Sequence, residues 1–160
     1  MVAELIHTFE ATIRFIEQSV ADLSDQQMIQ QPKGLPNHAA WTLGHIIFSC
    51  QGMAIELGVK PWLPDDWESH FGYGSTPHAD LRLYPAKAEL LSLLADSAER
   101  LVSTIRVLNP SDLQQSLVDE DLPTMSHLLW QVAVAHTAYH TGQLAVWRRA
   151  IGKKSTGVYV

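Results

Sequence analysis

The stretch HTAYHTGQL carries His136 and His140 four residues apart. On a helix that spacing puts both side chains on one face, with Cβ atoms roughly 6 Å apart, so two imidazoles can reach one cation at about 2.0–2.1 Å from each nitrogen. The line Val132, His136, His140, Gln143 and Trp147 keeps to this face. A pair alone does not make a site, because two histidines one turn apart can equally stack in a core or lie partly exposed. A third donor is offered by His45 in WTLGHIIF, which shares an apolar stripe with Trp41 and Phe48 and so points inward. Three neutral imidazoles with coordination positions left open form a centre at which water, a thiol or a carbonyl can be activated. Such donors suit zinc, nickel, copper or iron and do not choose among them.

The elements that would position these residues are helices. Val2, Leu5, Ile6, Phe9, Ile13, Ile16 and Val20 fall at spacings of three and four and predict a first helix over 2–20. The polar, proline-bearing stretch up to Pro36 predicts a loop, after which Asn37 is expected to cap a second helix over 38–57, stopped by Gly58. Residues 58–84 show no sustained periodicity and form a long connection. Such a segment is either functional or a crossover whose Trp62, Trp67, Phe71 and Tyr73 cover one end of the molecule. A third helix is expected from Pro85 to Leu108, with Leu90, Leu94, Leu101 and Ile105 inward, and a fourth over 124–151, ending at Gly152. Little room is left for strands. The expected fold is all-α: a four-helix bundle with a long connection between helices 2 and 3, forming one domain over residues 1–160.

Composition narrows the function. The 160 residues are 46% hydrophobic and 18% charged, which is ordinary for a globular chain and unlike a disordered one. Eleven Lys and Arg against seventeen Asp and Glu give a net charge of -6, which repels phosphate backbones and anionic lipid surfaces, so no nucleic-acid partner is expected. No apolar run of about 18 residues predicts a membrane span, and the acidic start lacks the pattern of a signal peptide. Cys50 stands alone, so neither an internal disulfide nor a thiolate zinc site is available; a cytoplasmic location is expected.

WTLGHI and HTAYHTGQL together resemble the DinB-like (YfiT-like) metalloenzyme superfamily, and the order of elements is similar over nearly the whole chain. The resemblance implies a four-helix bundle that holds a divalent metal, often nickel or zinc, through His45, His136 and His140, and that often forms a homodimer. This chain departs from many relatives in having Thr141 before the Gly-Gln pair and Thr42 after the helix-2 tryptophan. The resemblance also implies a small-molecule substrate and two reaction classes: transfer of a low-molecular-weight thiol to an electrophile, or metal-dependent hydrolysis by an activated water. A hydrolase wants a general base near the metal. No acid lies on the histidine faces near His45 or His136, HExxH and ExxH are absent, and Asp65, Asp66, Glu68 and Glu56 read as solvated acids. That shortage favours the thiol chemistry; a non-enzymatic metal-binding or dimerising helical module is the third reading.

The remaining candidates are supporting ones. Gln143 could orient a ligand imidazole or bind substrate. Tyr139 could donate at the rim, although an interface or core tyrosine is the commoner case. His38, two turns before His45, is expected at the surface, with the pocket mouth as its alternative. His127 lies too far from His136 to share a metal shell, at roughly 13 Å along a helix axis. Gly142 is expected to permit close helix packing or approach to the site, and Cys50 to act as a small core hydrophobe.

Overall fold

The computed structural model describes residues 2–154 and Thr156. Helix α1, Val2–Val20, buries the apolar stripe read from the sequence, with Phe9 at 1% exposure and Ile16 and Val20 fully covered. A short helix, α2 at Asp25–Met28, follows where the sequence suggested only loop. Its start is a capping box in which Ser24 and Gln27 exchange side-chain-to-backbone bonds.

Helix α3, Ala39–Glu56, is apolar nearly all round and is buried along most of its length. Its N-cap is His38 rather than Asn37: the His38 Nδ1 accepts the Trp41 backbone N–H at 3.2 Å. The imidazole wins because it is buried, while Asn37 turns its amide toward the last helix. Gly58 follows the helix with φ +84, the left-handed stop expected of it.

The connection 58–84 contains α4 at Trp67–Phe71 and a 3-10 turn at Leu81–Leu83. It does not close one end of the bundle; it runs back along α3. Gln51 Oε1 accepts the backbone N–H groups of Trp62 and Leu63, each at 2.7 Å. The Trp67 indole N–H donates to Gly44 O at 3.0 Å, and the Trp41 indole N–H to Ser75 Oγ at 2.9 Å. Trp67 and Phe71 are buried, Trp62 is half-buried, and Tyr73 is fully exposed.

Helix α5 spans Lys87–Arg106, starting two residues after Pro85, because Asp25 from α2 accepts the Lys87 backbone N–H at 2.8 Å and supplies the cap. A further short helix, α6 at Pro110–Leu113, is opened by a capping box between Asn109 and Asp112. The last helical stretch is continuous from α7, Met125–Leu129, through a π-helical segment, Trp130–His136, to α8, Thr137–Ala150. Buried Arg148 ties its end to α1 through Ser19 O and Asp22.

The described residues are all helical apart from loops and one isolated antiparallel bridge between Ser116 and Thr124. The long helices share one apolar core, with α3 against α5 and the last helix, and α1 against the same two. No described helix is long and apolar enough to cross a membrane.

Gly44 is where the connection comes closest to α3. A Cβ built there would clash with the edge of the Phe71 ring at Cδ1 and Cε1, whereas one on Gly52 in the same helix meets nothing within 4 Å. Overpacking a core costs about 1–3 kcal/mol, while replacing a helical glycine by alanine gains roughly 0.5–1 kcal/mol. Denaturant unfolding should therefore show Gly44→Ala destabilising by about 1–2 kcal/mol and Gly52→Ala stabilising. Equal effects at the two positions would refute this packing.

Candidate metal centre

His45 lies in the second turn of α3, buried at 7% exposure, and faces the last helix. His136 closes the π-helical segment and His140, also buried, lies in the first turn of α8. The wider π turns are held at their end by Thr137, whose hydroxyl donates to Val132 O, five residues back, at 3.0 Å. Segments of this type recur at functional sites because they re-aim the side chains that follow. The Nε2 atom of His136 is 3.1 Å from that of His45 and 3.1 Å from that of His140. One donor atom from each ring lies within 4.8 Å of the others. Nitrogens bound to one zinc at about 2.0–2.1 Å lie roughly 3–3.4 Å apart, so the observed spacing is that of donors around a single ion.

The outer nitrogens explain which way the rings face. His45 Nδ1–H donates to the Phe71 carbonyl at 2.6 Å. His140 Nδ1–H donates to Gln143 Oε1 at 2.9 Å, and the Asn37 amide donates to the same oxygen at 3.3 Å. With Nδ1 protonated, neutral His45 and His140 each present an Nε2 lone pair to the cluster. His136 can place a single proton on its Nε2, so only one of its two 3.1 Å contacts can be a hydrogen bond. Its buried Nδ1 has no partner. A cation at the centre would accept all three lone pairs and move that proton to the orphaned Nδ1, so the residues present fit a divalent metal. Trp41 stacks on His45 with centroids 4.7 Å apart and planes 10° apart, while Tyr139 meets the His140 ring edge-on at 5.1 Å.

Burial keeps the rings neutral. Desolvation, with a smaller repulsion from His45, pushes His136 down from 6.5 to about 4. His140 is pushed equally low, by desolvation first and its two neighbours second, against the opposing pull of Gln143. Desolvation also lowers His45, partly offset by the Phe71 carbonyl.

The sequence expectations meet the structure unevenly. His45, His136 and His140 come together, and Gln143 orients His140. Tyr139 is 63% exposed and lies on the outer side of His140, away from the cavity described below. His38, expected at the surface, is fully buried: its Nε2–H donates to His78 O at 3.1 Å, and its ring meets Tyr84 edge-on. It fastens the connection rather than lining the centre. His127 is exposed and bonded to Thr124, and His70 bonds to Ser69 and Asp66 O; neither joins the triad. Gly142 has open space around it, so close packing does not account for it. Cys50 is buried, with its thiol pushed up to about 12 by desolvation, as befits a core hydrophobe. The residues missed by sequence reasoning are Phe71, which acts through its backbone, Gly44, which admits the Phe71 ring, and Asn37. Only the glycine beside His45 carried a signal.

A cavity of about 360 Å³ opens beside His45 and His136. Phe48, Met53, Leu128 and Val132 form apolar walls, and Glu56, read above as a solvated acid, lines it as well.

The molecule is all-helical, and its core presents three convergent imidazoles, one from a central helix and two from the last, a donor set compatible with metal binding. The family model of the DinB superfamily matches residues 8–144, a span that contains the three histidines and most of the chain. The chain belongs to the DinB superfamily, as WTLGHI and HTAYHTGQL suggested. Among solved structures it is similar to the crystal structure of a conserved protein from Enterococcus faecalis. The two share 20% identity over 96% of this chain and 98% of that one, with a TM-score of 0.79, a likeness of fold. No curated protein matches the sequence.

The depressed histidines set a pH dependence. The folded form binds fewer protons than the unfolded chain between about 6.5 and 4, so the metal-free protein keeps this stability above 6.5 and loses it as pH falls toward 4. Urea midpoints of metal-free protein should drop between pH 7.5 and 5, and drop less in His136→Leu. A midpoint flat across that range would show that the rings are not held neutral by burial.

Proposed function

We propose that the chain binds one divalent metal through Nε2 of His45, His136 and His140, and that it is an enzyme that transfers a low-molecular-weight thiol to a small electrophile. The observation that carries this reading is the convergence of three Nε2 atoms, two of them with their tautomer fixed from behind. Nickel or zinc suits such a donor set, and when bound it would lower the pKa of a thiol and polarise an electrophile. Phe71 O and Gln143 hold the donor rings in place, and apolar walls line the neighbouring cavity. In the transfer, the S–H bond breaks and its proton leaves to solvent through the cavity mouth, while a carbon–sulfur bond forms at the electrophilic carbon as the bond from that carbon to its leaving group breaks, the leaving group departing with the electron pair.

Hydrolysis is the alternative, and it wants a base next to the reacting water. Asp65, Asp66 and Glu68 are exposed and do not line the cavity. Glu56 lines it but follows His45 by eleven residues, roughly 16 Å along the helix axis at 1.5 Å per residue, too far to serve the same atoms. Thiol chemistry needs no such neighbour. Exposed Trp130, Tyr139 and Val146 on the last helix would suit a homodimer face, and a single buried cysteine suits a reducing cytoplasm. The net negative charge supports small-molecule rather than nucleic-acid partners.

Elemental analysis of protein purified without a His tag should find near one equivalent of metal in the wild type and little in His136→Ala. Gln143→Leu should weaken metal binding about 10–100-fold while leaving the fold intact. Addition of a thiol to an electrophile should be faster with metal-loaded than with metal-free protein, and His140→Ala should abolish the gain. Metal-free wild type that cannot be reconstituted would overturn the whole reading; metal without thiol turnover would overturn the enzyme alone.

A further inference from the structure

The cavity beside the triad has a direction. On α3 the residues that line it include His45, Ser49, Met53 and Glu56, spaced by three and four, with Phe48 and Gly52 beside them, so the helix lays one continuous stripe from the histidine to its own last residue. The last helix runs the other way, contributing His136, Val132 and Leu128. The histidines therefore mark one end and Glu56 the other. Apart from the triad histidines, Glu56 is the only ionisable group of charge among the described lining residues: no Lys or Arg lines the cavity, and the last turn of α3 carries no basic residue. Tyr73, fully exposed, borders the cavity from the connection. It is presented by a turn in which Gly72 must lack a Cβ, since one would meet Glu68 O at 2.5 Å, and in which Gly74 takes φ +83.

We infer that this cavity binds small molecules with an apolar body and an ammonium group at the end away from the histidines, Glu56 being the residue that selects for the positive charge. This rests on the metal reading only for what happens at the opposite end. The walls accept a hydrocarbon or aromatic body, and a carboxylate at an apolar rim repels an anionic tail and leaves a neutral one indifferent. The chain's net charge of -6 works in the same sense at longer range. Because Glu56 is exposed, its contribution is screened by salt.

The test uses metal-loaded full-length protein and probes that cannot ligate a metal: alkyltrimethylammonium ions of increasing chain length, each paired with the neutral isostere in which carbon replaces nitrogen. Calorimetric titration at low salt should show the cation binding about two- to five-fold more tightly than its isostere. The preference should vanish in Glu56→Gln and reverse in Glu56→Lys, with metal content unchanged in both. Equal binding of cation and isostere to the wild type would overturn the inference, as would a preference that survives Glu56→Gln. A companion titration of cobalt-loaded protein with plain and ω-amino thiols, followed by the thiolate-to-cobalt absorption band, keeps the two readings apart. If the ammonium preference is present and the band absent, the inference stands and the thiol reading falls. If the band is present and the preference absent, the reverse holds.

Discussion

Inside an apolar core the Nε2 atoms of His45 and His140 each lie one hydrogen-bond length from that of His136, which has one proton to share between two lone pairs, and the surrounding structure is arranged to keep them there. A polar group buried without a partner costs on the order of 1–3 kcal/mol, and a ring free to rotate would turn its lone pair toward any available donor. Rotation is prevented at the back of the rings. The Phe71 carbonyl holds His45, Gln143 holds His140, and the Trp41 indole fixes the plane of His45 by stacking on it. Each restraint makes a demand further out. Phe71 can reach α3 only because Gly44 has no side chain, and Gln143 presents its oxygen because Asn37 donates to that same atom from the other side.

The connection between α3 and α5 is accordingly as much a part of the site as the helices. It is attached to α3 by Gln51 at one end and His38 at the other, with the Trp41 and Trp67 indoles between. Most of these bonds join a side chain to a backbone group, so the segment gains a fixed path without forming much regular structure of its own. The same device appears at α5, whose first turn is capped from α2 by Asp25. A fold built this way can hold its shape while most of its residues change, in keeping with a TM-score of 0.79 at 20% identity.

Much of this was legible in the sequence where periodicity or spacing carried it. The α1 stripe from Leu5 to Val20, the inward face of α5 and the positions of His45, His136 and His140 all follow from steps of three and four. Short helices were harder: the capping box Ser24–Gln27 lies in the sequence, but the glycines and prolines after it outweighed it. His38 was misread because a histidine at a helix start looks solvent-facing until the connection folds over it. Pro85 marked the wrong start for α5, since the deciding acceptor comes from Asp25, sixty-two positions away from Lys87. The π-helical segment ahead of His136 leaves no mark in the pattern, because apolar residues in WQVAVA suit either kind of turn. Contacts made by backbone atoms, such as Phe71 O, are invisible by nature to a reading of side-chain types.

That last contact has an evolutionary side. Every residue, proline included, carries a backbone carbonyl, so no single substitution at 71 deletes the acceptor that orients His45. What selection must preserve is the route of the chain past α3, which is recorded in the residues that shape it, Gly44 above all, rather than in the one that makes the bond. Lineages could therefore exchange the residue in contact with a donor ring while holding fixed a glycine that performs no chemistry.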